Sequence, residues 1–226
     1  MERPLSAPES GRPAARGAWA VAGLLAAAAA AGWTALLVLG DELPMGVVFW
    51  LLAWLAMMTA MMLPSASPLV LIYRRLAGRT GDSMLLAAGY LVVWTAVGVA
   101  AYALDRLLPD PGAAAVAAVL LVAGIYQLTP LKHACLRRCR TPLDFLVTRW
   151  RRGRLGALQL GVEHGAYCVG CCWALMAVLI VAASMALVWV GVIAVAVAAE
   201  KLLPRGPLLG KLGGIALVAL GIAMIV

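Results

Sequence analysis

The residues best suited to chemistry lie in one apolar stretch, residues 155–183, which is long enough to cross a bilayer as a helix. It contains His164, Cys168, Cys171 and Cys172. At about 100° per residue, an α-helix places the histidine and the first two cysteines within roughly 60° of one another. Polar and ionisable groups are costly at membrane depth and usually serve a function there. The spacing therefore predicts a functional stripe on one helix face.

The chemistry that this stripe indicates is metal binding. Thiolate and imidazole groups suit soft or borderline metal ions such as Cu(I), Zn(II) or an iron centre. A buried site should be nearly neutral, so one thiolate suits a monovalent ion and two suit a divalent ion. We expect a metal ion, with Cu(I) favoured over Zn or Fe. The alternative is that the cysteines are small apolar residues in a tightly packed helix.

A block of methionines precedes Pro64 and gives a second set of candidate ligands, Met57, Met58 and Met61. Thioethers are neutral soft ligands that add no charge to a desolvated Cu(I) site. Methionine also fills irregular gaps in protein cores, and this alternative remains open. We expect the block to lie at a similar depth to His164, in the cytoplasmic half of the protein.

The two remaining cysteines, Cys135 and Cys139, lie in the longest polar stretch, residues 129–154. On a helix they would share a face, and the basic residues around them favour the thiolate form. They would then form a metal uptake site or a redox pair at the cytoplasmic mouth. The alternative is a pair of free thiols on a basic, lipid-facing helix.

Charged and small residues near the ends of the spans indicate packing rather than chemistry. We expect Glu163 to pair with an arginine of residues 149–154, and Glu200 to pair with its neighbour Lys201. Glycines four residues apart allow helices to approach closely. They occur at Gly161 with Gly165 and at Gly210 with Gly214.

Composition defines the elements that must hold these residues. Of 226 residues, 65% are hydrophobic and 12% are charged. Several apolar runs reach the roughly 20 residues that a bilayer span requires. The sequence therefore predicts an all-α protein, a polytopic transmembrane helix bundle with seven spans. These are residues 17–39, 45–63, 83–104, 112–128, 155–183, 185–199 and 208–226.

The placement of basic residues predicts the orientation. If the N-terminus is cytoplasmic and the C-terminus outside, Arg106 is the only lysine or arginine left on the outer side, as positive-inside bias requires. Residues 1–16 read as a disordered cytoplasmic tail, and residues 17–226 as a single transmembrane helical domain with a basic cytoplasmic segment at 129–154. The net charge of +8 then indicates contact with anionic lipid, not nucleic acid.

Three blocks of sequence carry a resemblance to a known family. They are WLAMMTAMMLPSASP at 54–68, GIYQLTPLKHACLRRCRTP at 124–142 and HGAYCVGCCWALM at 164–176. Over about residues 45–214 the chain resembles the predicted metal-binding integral membrane proteins called domain of unknown function 2182. The resemblance implies a multi-pass bacterial inner-membrane protein that binds a metal. The ligand candidates that it carries over are Cys135, Cys139, His164, Cys168, Cys171 and Cys172, with the methionine block as support.

These observations leave three classes of function. The first is a membrane protein that binds Cu(I) for transport, delivery or sensing. The second is a thiol–disulfide or quinone-linked oxidoreductase that uses Cys168 with Cys171, or Cys135 with Cys139. The third is a structural or assembly subunit that packs against a second copy or another membrane protein. The chain has no phosphate loop, dinucleotide fingerprint or Ser/His/Asp set, which favours a binding protein over an enzyme.

Overall fold

The computed structural model describes residues 11–39, 46–77, 79–107, 112–181 and 186–226, and these parts are α-helical with short connections. The all-α fold predicted from the sequence is confirmed, and the described residues contain no strand. The helices are α1 Gly11–Leu39, α2 Val47–Ala77, α3 Thr80–Leu107, α4 Ala113–Leu128, α5 Pro130–Arg140, α6 Pro142–Arg149, α7 Gly153–Val181, α8 Leu187–Leu202 and α9 Gly206–Ala223.

Length and hydropathy identify five of these helices as able to cross a membrane. The segments that meet both criteria are Gly17–Val38, Val47–Ala77, Thr80–Leu107, Gly153–Val181 and Gly206–Ala223. The pair α4 and α5 meets them together but bends by 64°, which would bring the number to six. With only 16 residues, α8 is shorter than a usual span. The seven-span topology and its orientation stay predictions.

The sequence pattern predicts that the second helix ends before Pro64. In the structure, α2 continues to Ala77. Proline removes a backbone donor and usually ends or bends a helix. Pro68 has no backbone N–H to donate to the carbonyl oxygen of Pro64, four residues earlier. The Ser67 hydroxyl donates to that oxygen instead, at 2.7 Å. Side-chain compensation of this kind is how apolar helices tolerate internal proline. The helix beyond Pro64 therefore stays continuous and reaches the basic residue Arg74.

Helical structure also extends into two polar stretches. Residues 11–16, which the sequence analysis assigns to the tail, are part of α1, while residues 1–10 lie outside the described residues. The basic segment at 129–154 is largely helical. It folds into α5 and α6, and the side chains of Phe145 and Leu146 are buried. Apolar residues interleaved with the arginines explain this packing.

Helix α7 is packed closely against α3, which fixes the height of its cysteines. A Cβ atom on Gly161 would collide with the carbonyl oxygen of Leu86, and one on Gly89 would collide with that of Leu158. Gly165 is in contact with Val93 of α3. The close approach expected from the spacing of Gly161 and Gly165 is confirmed. At these points backbone lies almost directly on backbone.

Candidate metal centre

The Sγ atoms of Cys168, Cys171 and Cys172 all lie within 4.8 Å of one another, and all three side chains are buried. Residues three and four apart on a helix share a face, so α7 alone can gather them. The sulfur atoms of Cys168 and Cys172 are 4.0 Å apart. Sulfur ligands about 2.3 Å from a trigonal ion would be roughly 4 Å apart. The three thiols can therefore reach one ion with little movement.

Hydrogen bonds give the three sulfur atoms different roles. The thiols of Cys171 and Cys172 donate to the carbonyl oxygen of Cys168, at 3.1 Å and 2.9 Å. The sulfur of Cys168 lies 2.9 Å from the Nζ atom of Lys201 and 3.0 Å from the Tyr90 hydroxyl. An ammonium group has only donors, so the Cys168 sulfur must accept. Cys168 is the cysteine placed to be a thiolate.

Helix α5 brings the other two cysteines to the same region. Cys139 is buried, and its sulfur is 3.9 Å from that of Cys171. Cys135 is half-buried. Its sulfur is 2.7 Å from the position that a Cβ atom on Gly170 would occupy, so the two helices approach closely there. The alternative of two thiols on a lipid-facing helix does not describe Cys139.

The methionine block packs in the same core as the cysteines. Met57, Met58 and Met61 are buried, and they belong to the cluster of buried side chains that contains Cys168 and Cys171. The backbone carbonyl of the next methionine in α2, Met62, accepts a hydrogen bond of 3.3 Å from Tyr90. The methionine side chains therefore share a buried core with the thiols. Which of them would ligate an ion stays a prediction.

His164 is buried, but it is not part of the group of three cysteines. Its ring lies edge-on to Phe145, with 5.3 Å between centroids, and is tilted against Tyr90 at 6.0 Å. Its Nδ1 atom has no hydrogen-bond partner among the described residues. The predicted histidine ligand thus lies one turn before Cys168, among aromatic rings, and its role as a ligand stays a prediction.

The expected pair of Glu200 with Lys201 is wrong. Neighbouring residues on a helix point about 100° apart and do not face each other. Glu200 instead pairs with Lys132 of α5 at 2.6 Å, while Lys201 contacts Cys168 and the Ser65 hydroxyl, the latter at 3.1 Å.

The pairing expected for Glu163 is confirmed. Its carboxylate lies 3.0 Å from Arg149 and 3.7 Å from Arg151. All three side chains are partly exposed, so this cluster lies apart from the buried sulfur group. Its geometry supports the structural role that the sequence indicates.

Sequence reasoning missed two residues that contact the sulfur of Cys168 and a third that contacts one of those two. These are Tyr90, Lys201 and Ser65. One signal was present, since Glu200 and Lys201 adjoin in an apolar helix and cannot face each other. Each therefore needed a separate buried partner. Nothing in the sequence pattern pointed to Tyr90 or Ser65, because each comes from another helix.

Fold and site together define an all-α protein with apolar helices and a buried thiol group suited to a soft metal ion. The family model described as PpoB2, copper chaperone, matches residues 51–224. This match covers most of the chain and includes all five cysteines, and the chain belongs to this copper chaperone family. The cysteine group fits a copper-binding role. No curated protein and no solved structure matches the chain.

Proposed function

We propose that this protein is a multi-pass chaperone of the bacterial inner membrane that binds Cu(I) at Cys168, Cys171 and Cys172 and delivers it to a partner. The observation that carries the proposal is the closeness of these three buried sulfur atoms. Family membership supports copper as the cargo. The five long apolar helices support a membrane location.

The surroundings of the thiols favour Cu(I) over Zn or Fe. Neutral thioether ligands favour Cu(I), whereas Zn(II) is usually held by four thiolate, imidazole or carboxylate ligands with tetrahedral geometry. The buried methionines Met57, Met58 and Met61 share the core of the cysteines. They could add neutral ligands without adding charge to a desolvated site.

Exposure decreases from α5 toward the cysteines of α7, which supports delivery rather than storage. Cys135 is half-buried, whereas Cys139 is 8% exposed and Cys171 is 1% exposed. Cys139 and Cys171 are 3.9 Å apart, within reach of a shared ion. Copper would move by ligand exchange between neighbouring thiols, with Cys135 as the first or last of them.

The basic segment would meet the cytoplasmic face of the membrane. Its side chains Arg138, Arg149 and Arg151 are 39%, 44% and 47% exposed. Arginines near apolar helices bind anionic lipid headgroups and mark the cytoplasmic side. This arrangement would hold the α5 cysteines near the headgroups, where a partner protein can approach.

The proposal is tested by anaerobic Cu(I) titration of the purified protein in detergent, with a chromogenic Cu(I) chelator as competitor. We expect one tightly bound Cu(I), and binding about 100-fold weaker in Cys171→Ser, since each lost soft ligand removes a few kcal/mol. The Cys135→Ser variant should keep its equilibrium affinity and lose only speed of transfer to an acceptor chelator. Absence of Cu(I) binding by the unmodified protein would reject the proposal.

The methionines allow a matched comparison. Met58→Leu should weaken Cu(I) binding by several-fold if its thioether is a ligand, because leucine conserves volume but removes the sulfur. Met84→Leu is the control, since Met84 packs against a different core cluster. Equal Cu(I) affinity of the two variants would show that Met58 has only a packing role.

One contact favours a second function, thiol–disulfide exchange. Cys139 and Cys171 lie on different helices with their sulfur atoms 3.9 Å apart. A disulfide requires about 2.05 Å, so α5 would have to move closer to α7. The two thiols would pass two electrons and two protons to a quinone or a disulfide partner. Thiol trapping across a redox titration tests this, and a pair that stays reduced at all cellular potentials would exclude it.

A further inference from the structure

Lys201 brings a positive charge directly to the sulfur group. It lies near the end of α8 and is 6% exposed. Its Nζ atom is 2.9 Å from the sulfur of Cys168 and 3.1 Å from the Ser65 hydroxyl oxygen. No carboxylate of the described residues lies within ion-pair distance of it. Its positive charge therefore faces a thiol sulfur.

The nearest carboxylate along the chain cannot balance this charge, because it already has a partner. Glu200 is buried and pairs with Lys132 at 2.6 Å, and the amide of Gln127 donates to the same carboxylate at 3.4 Å. That pair is neutral by itself. The charge of Lys201 is left for the thiolates to balance, since an uncompensated buried charge is strongly unfavourable.

The charge of Lys201 changes the number of thiolates that a neutral copper site can hold. Without the lysine, Cu(I) and one thiolate are neutral together. With it, Cu(I) and two thiolates are neutral, and the third sulfur of the group can stay a thiol. Two thiolates are a strong soft ligand set for a monovalent ion. The lysine itself has no free lone pair when charged and cannot be a ligand.

We propose that Lys201 is the fixed counter-charge that allows Cu(I) to be held by two thiolates from the group Cys168, Cys171 and Cys172. This inference rests on the proposed copper function. Lys201 is then a positioning residue, and its neighbour Tyr90 has a different role. The tyrosine hydroxyl is 3.0 Å from the same sulfur but carries no charge.

The experiment measures Cu(I) affinity and the number of thiolates bound per ion in the intact protein in detergent. Affinity comes from chelator competition, and thiolate bonds come from the ultraviolet thiolate-to-copper charge-transfer band. We expect Lys201→Met to bind Cu(I) roughly 100-fold more weakly. The band per bound ion should fall by about half, because one of the two thiolates is lost. Ag(I), a soft monovalent ion without redox chemistry, should show the same loss of affinity.

Three matched variants separate charge from other effects. Lys211→Met removes a lysine that is exposed on α9 and should change neither readout. Tyr90→Phe removes a hydrogen bond of similar length to the Cys168 sulfur but no charge, so the band should keep its intensity. Lys201→Arg keeps the charge and should recover most of the band. Far-ultraviolet circular dichroism and gel filtration would verify the fold of each variant.

The outcomes distinguish the two levels of proposal. If the unmodified protein binds no Cu(I), the copper function itself fails. If it binds Cu(I) and Lys201→Met has the same affinity and the same band, only the role of Lys201 fails. If Lys201→Met does not fold, the inference is tested on the copper-loaded unmodified protein. A single copper–sulfur bond per ion in its X-ray absorption spectrum, or a charge-transfer band of one thiolate per ion, would overturn the inference, and a band of two thiolates per ion would support it.

Discussion

Lys132 and Lys201 are both buried lysines among apolar helices, but their surroundings differ completely. Lys132 has no exposed surface, and its Nζ atom contacts Glu200 and Gln127. Lys201 contacts Cys168 and Ser65. The first charge is balanced by the carboxylate of Glu200. The second is balanced only when a neighbouring cysteine is ionised.

The partner of a buried charge therefore indicates whether that charge has a structural or a functional role. A closed carboxylate–ammonium pair joins α5 to α8 and offers nothing to a metal ion. An ammonium group beside a group of thiols leaves a charge that responds to what binds there. Glu200 and Lys201 are neighbours in sequence, yet Glu200 belongs to the ion pair and Lys201 to the thiol group.

The largest expected effect is on the pair formed by Lys132. Glu200→Gln leaves a buried ammonium without its carboxylate and should lower the free energy of unfolding by about 3–5 kcal/mol. Thermal unfolding in detergent measures the loss. A variant as stable as the unmodified protein would contradict a structural role for the pair.

Removing both charges should repair most of that loss. Replacing a buried ion pair with apolar side chains of similar size is often neutral or stabilising. We expect Lys132→Met combined with Glu200→Met to come within about 2 kcal/mol of the unmodified protein. The same unfolding experiment and a Cu(I) titration check it. Loss of copper binding in a stable double variant would show that this pair also serves the metal site.

A smaller effect is expected at the contact of Lys201 with α2. Ser65→Ala removes a hydrogen bond to the ammonium group, a loss of about 1 kcal/mol, and should weaken Cu(I) binding roughly fivefold. Ser67→Ala is the matched control, because that hydroxyl bonds the Pro64 carbonyl instead. Chelator competition measures both. Equal effects of the two changes would indicate a general disturbance of α2.

The smallest effect is expected at the exposed ion pairs. Glu163→Gln removes contacts to Arg149 and Arg151, both of which are nearly half exposed. Partly exposed pairs contribute about 1 kcal/mol or less and are screened by salt. We expect a stability loss of that size, which shrinks in about 0.5 M salt because the Debye length there falls to roughly 4 Å. A loss comparable to that of Glu200→Gln would remove the contrast between the two clusters.

The sequence was sufficient for features that depend on a single helix. Apolar runs predict most of the helices, and the spacing of Cys168, Cys171 and Cys172 predicts the face that they share. The pair of Glu163 with nearby arginines follows from closeness along the chain. In these cases geometry within a helix or between neighbours decides the outcome.

The remaining features depend on how separate helices meet, which periodicity does not encode. Tyr90 reaches Cys168 from α3, and Lys132 reaches Glu200 from α5. His164 shares a helix with the cysteines, but aromatic rings from neighbouring elements surround it. Each outcome is set by a contact distant in sequence.

The glycine contact between α3 and α7 has a mechanical consequence for the proposed release of copper. Where Gly161 meets Leu86 there is no side chain to rearrange, so these two helices can part only by losing their whole contact. On the other side, α5 meets α7 through the small thiols of Cys135 and Cys139. We therefore expect the contact of α7 with α3 to stay fixed and the contact of α7 with α5 to open more easily. A copper ion would then leave past α5.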